Sequence, residues 1–173
     1  MAKPAKLAHF VLRTSDIDGL ADWYCSVLEA RVVHRNKMIS FATFDDEHHR
    51  IAFIDRGFKS GPEPESNGVD HVAFTYESLG DLLSNYVRLR DQGIVPERTI
   101  NHGPTTSMYY RDPDGNRIEL QVENFADSKD AIDFMNGPIF EANPIGVLFD
   151  ADELVERFHA GVPEEELVRQ GDG

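Results

Sequence analysis

An internal repeat constrains this chain more than any other feature. LAHFVLR, from Leu7 to Arg13, and VDHVAFT, from Val69 to Thr75, are short runs rich in strand-favouring residues. Each has a histidine in third place, so His9 recurs as His71 at a period of about 62 residues. The segments behind the two runs correspond as well. Behind the first, Ser15 to Asp18 offer a helix cap, LADWYCSVLEA reads as an amphipathic helix ending near Glu29, and β-rich runs occupy 31–34, 38–44 and 50–55. Behind the second, LGDLLSNYVRLRDQ from Leu79 to Gln92 is a helix closed by Gly93, and the runs 95–99, 105–111 and 117–122 read as strands. The Gly/Pro/Glu-rich stretch FKSGPEPESNG, from Phe58 to Gly68, separates the halves.

Each half therefore predicts β-α-β-β-β. The expected fold class is α+β: two paired modules, 6–56 and 69–123, form curved mixed sheets around a cleft within a domain of residues 1–125. A cleft lined from both halves is a natural ligand site. Residues 126–173 break the pattern and form a C-terminal extension. Its middle carries Phe134, Met135, Ile139, Phe140, Val147, Leu148 and Phe149, enough apolar side chains to pack on something, and DELVERFH from Asp152 to His159 predicts a short helix. The extension is expected to act as an arm that covers the body or a neighbouring subunit, with the last five residues frayed.

The bulk properties narrow the function. With 173 residues, 40% hydrophobic and 28% charged, the chain has the composition of a soluble globular protein. Its 17 Lys and Arg against 31 Asp and Glu give a formal charge of −14 and no basic stripe, which argues against nucleic acid and against an anionic membrane surface as partners. No stretch reads as a secretory signal or a membrane span, and a single cysteine, Cys25, forms no internal disulfide. A cytoplasmic setting is expected.

His9 and His71, at matched positions of the two repeats, are candidate metal ligands; in either strand taken alone, a histidine reads as an ordinary core or surface residue. Glu119 lies in NRIELQVE, where Ile118, Leu120 and Val122 alternate with Glu119, Gln121 and Glu123. Alternation alone puts Glu119 on a solvated face, but it comes after the turn RDPDGN, whose Pro113 and Gly115 suit a tight hairpin that fixes its direction. Two imidazoles and one carboxylate form the facial set that suits non-haem Fe(II) and leaves three positions open; the same donors accept Mn(II).

The stretch from Ile100 to Glu119, INHGPTTSMYYRDPDGNRIE, resembles the signature of extradiol ring-cleavage dioxygenases of the vicinal oxygen chelate superfamily, which also contains glyoxalases and bleomycin resistance proteins. His102, Met108, Tyr109, Asp112, Pro113, Gly115 and Glu119 match it in order and spacing. HHRIAF, from His48 to Phe53, is similar to a second element of the same enzymes. The resemblance covers Lys6 to about Phe125 and implies paired β-α-β-β-β modules around a metal-containing cleft. It implies metal ligands His9, His71 and Glu119, with catalytic roles for His49, as distal acid/base residue, and for His102 and Tyr109, as hydrogen-bonding partners of the substrate. The activity implied is Fe(II)-dependent cleavage of a catechol ring by O₂ in aromatic-compound degradation, on 2,3-dihydroxybiphenyl or a related aryl catechol. A homo-oligomer is expected.

Three other readings stand beside this one. A glyoxalase-like isomerase resembles a four-ligand site with a second Glu in the last strand of the first half, where this chain has RIAFID. A fosfomycin-type thiol transferase resembles the same His, His, Glu set but has no use for His49, His102 and Tyr109 together. A metal-free drug-binding module leaves the ligand set without a task. No G-x-S-x-G element supports a hydrolase. Among the remaining residues, Tyr110 must face away from Tyr109 on one strand. Trp23 and Cys25 are expected to pack, His34 and His159 to lie at the surface, and Asp45, Asp46 and Glu47 to be solvated. Phe44, Phe53, Phe74 and Tyr110 are the candidate pocket aromatics.

Overall fold

The structure is a computed structural model, and residues 2–57 and 67–170 of it are described. Most of the expected connector, 58–66, and the last three residues lie outside these. The chain divides into two compact units, one of residues 1–68 with 112–116, the other of 69–111 with 117–173.

The first unit holds β1 (Phe10–Arg13), α1 (Ile17–Leu28), β2 (Arg31–Arg35), β3 (Ile39–Thr43) and β4 (Ile51–Ile54), in a mixed sheet of order β1-β4-β3-β2. β1 runs parallel to β4 and the other pairs are antiparallel. Asp16 caps α1 by accepting from the Gly19 N–H at 2.9 Å, and Glu29 ends it in a left-handed conformation, φ 50°. The buried residues Ile17, Leu20, Ala21, Tyr24 and Val27 share one face at helical spacing. Trp23 and Cys25, expected to pack, are only half-buried, and Tyr24 between them is the core aromatic.

The strand expected from Leu7 begins only at Phe10. The Arg50 guanidinium donates to the carbonyls of Leu7 and Ala8 at 2.6 and 3.1 Å, so a side chain satisfies backbone groups that a ladder would otherwise engage. His9 thus stands just before β1. Asp45, expected to be a solvated charge, stays partly exposed and also accepts from Arg50 Nε at 2.8 Å, from Thr43 and from the Glu47 N–H, and so organises the loop before β4.

The second unit repeats the plan with β5 (His71–Tyr76), α2 (Leu79–Asp91), β6 (Arg98–Asn101), β7 (Thr105–Arg111) and β8 (Arg117–Glu123). β5 pairs parallel to β8. Ser78 caps α2 by accepting from the Asp81 N–H, and Leu79, Leu82, Leu83, Tyr86 and Leu89 are buried along it. β6 begins at Arg98, three residues later than expected, because Gly93 and Ile94 still donate to carbonyls of the helix end.

The C-terminal extension completes this unit. After α3 (Ser128–Met135) and α4 (Pro138–Ala142), β9 (Val147–Leu148) adds a fifth strand beside β6, giving the order β5-β8-β7-β6-β9. α5 (Ala151–His159), one residue longer than expected, packs on α2 through Asp152, which accepts from Tyr86 Oη at 3.0 Å and pairs with Arg90. A short α6 (Glu164–Leu167) buries Leu167. Arg169 and Gln170, expected to fray, are described, and Gln170 donates to the Asn101 carbonyl at 3.3 Å. No described helix is long and apolar enough to cross a membrane.

Candidate active site

Strand register decides which side chains meet. In the second unit Tyr109 on β7 stands directly across from Glu119 on β8, and His71 on β5 pairs with Arg117, two residues before Glu119. Alternation therefore puts His71, Tyr109, Arg117 and Glu119 on one face. Their strand neighbours Met108, Tyr110, Ile118 and Leu120 turn to the other face and are almost fully buried, which separates Tyr109 from Tyr110 as expected. Tyr110 and Phe53 are core residues, each 1% exposed or less, so neither serves as a pocket aromatic; Phe44 is exposed and Phe74 half-buried.

Glu119 is 5% exposed, which overturns the solvated reading of its strand position. His71 Nε2 lies 2.9 Å from Glu119 Oε2, and the two rings of His71 and Tyr109 meet edge to face at 5.3 Å. The other imidazole nitrogen, Nδ1, lies 2.7 Å from Asp70 Oδ2. Arg117 reaches both Asp70 oxygens at 3.2 Å and donates to Glu97 at 2.7 Å; Arg111 pairs with the same Glu97. The hydrogen bond from His71, then Arg117, holds the Asp70 carboxyl below the usual carboxylate range. Carboxylates thus address both nitrogens of His71, and Asp70 orients the ring so that Nε2 faces Glu119.

The Tyr109 hydroxyl lies 2.8 Å from His102 Nε2. Burial, then the adjacent Glu119 carboxylate, pushes the Tyr109 phenol well above its ordinary pKa, so it stays a proton donor. His102 comes directly after β6, on a turn in which its N–H donates to the Thr105 carbonyl at 2.9 Å. Gly103 behind it has φ +91°, and a Cβ there would meet the Phe134 ring, so glycine is sterically required at that position. His102 Nδ1 lies 2.5 Å from the Ile145 carbonyl oxygen.

In the first unit the His9 and His49 rings lie 4.5 Å apart, and Phe41 stacks obliquely on His49 at 4.6 Å. His48 Nδ1 and His49 Nδ1 are 2.6 Å apart. Burial, then His9 and His48 nearby, holds the His49 imidazole below its ordinary pKa. His34 and His159 are exposed, as expected. The turn at 112–116 is built on Asp112. Its carboxylate accepts from the N–H groups of Asp114 and Asn116, from Asn116 Nδ2 and from the buried Tyr24 hydroxyl at 3.2 Å. Burial pushes the Asp112 carboxyl up despite these bonds, and burial pushes the Tyr24 phenol up as well.

The structure therefore brings His71, Glu119, Tyr109 and His102 together in one unit, and His9 with His49 in the other. Among the described residues no group of three or more His, Cys, Asp or Glu side chains is gathered as a metal-holding set. The His71–Glu119 pair nevertheless fits a divalent cation. A buried carboxylate facing an imidazole nitrogen, with the opposite nitrogen fixed by Asp70, supplies two donors of the kind such ions take. Sequence reasoning missed Asp70, although VDH puts a carboxylate beside the histidine. It also missed Tyr24 as partner of Asp112, and Ile145, whose contribution is a backbone carbonyl.

The family model described as "Glyoxalase/Bleomycin resistance protein/Dioxygenase superfamily" matches residues 6–120. "Biphenyl-2,3-diol 1,2-dioxygenase 2" of Rhodococcus globerulus is 44% identical over 169 residues, 97% of this chain and 89% of that protein. "Biphenyl-2,3-diol 1,2-dioxygenase 3" of the same organism is 46% identical over 170 residues, 97% of this chain and 90% of that protein. Among solved structures, a "glyoxylase/bleomycin resistance protein/dioxygenase domain" from Frankia sp. EAN1pec superposes with a TM-score of 0.57 at 24% identity, covering 70% of this chain and 99% of that one, a likeness of fold alone. Such dioxygenase relatives imply a metal cofactor, a catechol substrate and O₂. On these matches the chain belongs to the glyoxalase/bleomycin resistance/dioxygenase superfamily and, within it, to the extradiol ring-cleavage dioxygenases.

Proposed function

We propose that the chain cleaves 2,3-dihydroxybiphenyl or a related aryl catechol, that its metal is Fe(II), and that His9, His71 and Glu119 hold it. The observation that carries this reading is the His71–Glu119 pair with Tyr109 and His102 beside it. A thiol transferase or an isomerase has no need of a phenol–imidazole pair there. Two imidazoles and a carboxylate suit Fe(II), with Mn(II) the alternative for the same donors. The relatives named for biphenyl-2,3-diol, at 44% and 46% identity, support an aryl catechol. When bound, the metal supplies the Lewis acidity and the electron traffic that let a catechol and O₂ react.

The protein's own groups handle protons and position the substrate. The Tyr109 hydroxyl, kept protonated by its surroundings, donates to a catecholate oxygen or passes its proton to His102 Nε2. His49, whose imidazole burial and then His9 and His48 hold below its ordinary pKa, takes a substrate proton and returns it during ring opening. With Nδ1 engaged by His48, Nε2 is the nitrogen for that exchange. We further place the enzyme in the cytoplasm and in aromatic-compound degradation, as a homo-oligomer joined through the exposed apolar residues Ile132, Met135, Ile139 and Leu148 of the extension.

The test is to load the chain with Fe(II) under anaerobic conditions, add 2,3-dihydroxybiphenyl, admit air and follow visible absorbance. A yellow ring-opened acid is expected. If no colour forms with any of several catechols, while Mn(II) supports thiol addition to an epoxide, the reading is overturned.

A further inference from the structure

The C-terminal extension does more than cover a sheet edge, because its backbone reaches a side chain of the site. The Ile145 carbonyl oxygen lies 2.5 Å from His102 Nδ1. A carbonyl only accepts, so Nδ1 must carry a hydrogen. A neutral imidazole has one N–H, and the bond made by one nitrogen sets the state of the other. Nε2 is then bare and, 2.8 Å from the Tyr109 hydroxyl, can only accept from it, sharing that hydroxyl with the Glu119 carboxylate. Were the hydrogen on Nε2 instead, the imidazole would donate to the phenol oxygen, and the Ile145 carbonyl would face a bare nitrogen.

The carbonyl is held in place from several sides. Asn143 closes a turn around it, donating from Nδ2 to the Gly146 carbonyl at 2.9 Å and accepting from the Gly146 N–H at 3.0 Å. Gly146 has φ +100°, and a Cβ there would collide with the Asn101 carbonyl and lie 2.7 Å from the His102 Cα. Directly after it, Val147 on β9 pairs with Asn101 on β6, the residue before His102. Asn101 Nδ2 also donates to the Val168 carbonyl at 2.8 Å. The Ile145 side chain itself is 61% exposed, so the residue serves the site through its backbone.

We propose that the Ile145 carbonyl, presented by the Asn143–Gly146 turn, fixes His102 as the Nδ1–H tautomer and makes the C-terminal extension a positioning element of the His102–Tyr109 pair. Its catalytic consequence rests on the proposed ring cleavage, in which that pair handles protons. The tautomer does not rest on it.

The test uses the full chain labelled with ¹⁵N at histidine, without added metal and at a pH where the imidazoles are neutral. Long-range ¹⁵N–¹H correlation then reads the tautomer, with the His102 signals assigned by their loss in His102→Gln. Nδ1 is expected to be protonated and Nε2 bare. Gly146→Ala should move the population toward Nε2–H and, in the Fe(II)-loaded enzyme, lower kcat by about tenfold or more with KM little changed. Should Gly146→Ala fail to fold, Asn143→Ala removes the brace without adding a Cβ, and the same shift is expected. A wild-type His102 found as Nε2–H overturns the proposal, and so does a folded variant that keeps both the wild-type tautomer and the wild-type kcat. Ring cleavage failing with every catechol sinks the functional reading and leaves the tautomer standing; the wrong tautomer in an active enzyme sinks only this inference.

Discussion

His71 Nε2 lies 2.9 Å from the Glu119 carboxylate, from adjacent strands of one sheet, with Asp70 fixing the far side of the ring. Glu119→Ala or His71→Ala should abolish retention of iron through gel filtration, and so should His9→Ala if it is the third donor. Metal analysis of the eluted protein, alongside circular dichroism to show that each variant is folded, checks this. Iron retained at wild-type stoichiometry by any folded member of the set removes that residue from the ligands.

Tyr109→Phe keeps the ring and removes the one hydroxyl that meets His102 Nε2. Loss of a positioned proton-transfer group costs about 10²–10⁴ in rate. Tyr109→Phe and His49→Ala are each expected to keep bound iron and to lower kcat within that range. Steady-state kinetics at matched iron content measures it.

The duplicated β-α-β-β-β plan was legible because both halves carry the same succession of alternating and helical periods, with Asp16 and Ser78 as ordinary caps. Residue type and spacing were enough to single out His71, Glu119, Tyr109 and His102, which one unit brings together. The start of β1 was misplaced because Arg50 takes over the carbonyls of Leu7 and Ala8, a long-range choice that no local pattern encodes. β9 is two residues long, too short for any alternation, and its pairing is visible only once β6 is in place. The Ile145 carbonyl left no trace in residue types, since every residue has one.

Tyr24 is fully buried and its hydroxyl donates to the Asp112 carboxylate at 3.2 Å. A buried hydrogen bond to a charged group is worth about 1.5–3 kcal/mol. Since 3.2 Å is long for an O–H donor, Tyr24→Phe should cost toward the lower end, about 1–2 kcal/mol. Urea denaturation measures it, with the m-value unchanged.

Asp152 ties α5 to α2. The hydrogen bond from Arg90, then that from Tyr86, holds its carboxyl below the usual carboxylate range, while burial, then Asp152, pushes the Tyr86 phenol up to about 12. A carboxyl depressed in the folded state contributes stability above its unfolded pKa, and that contribution disappears as pH falls through the folded pKa. Asp152→Asn should therefore be less stable than wild type at pH 7, and the gap should narrow below about pH 4. Chemical denaturation at a series of pH values tracks it.

The most direct test is ring cleavage under ¹⁸O₂ by the Fe(II)-loaded chain, with O₂ uptake recorded and the product identified by mass spectrometry. One O₂ should be consumed per 2,3-dihydroxybiphenyl cleaved. Extradiol cleavage should yield a yellow product with one new carboxyl and one carbonyl group, both oxygen atoms of O₂ entering it. A colourless dicarboxylic acid, or O₂ uptake without ring opening, would contradict the account.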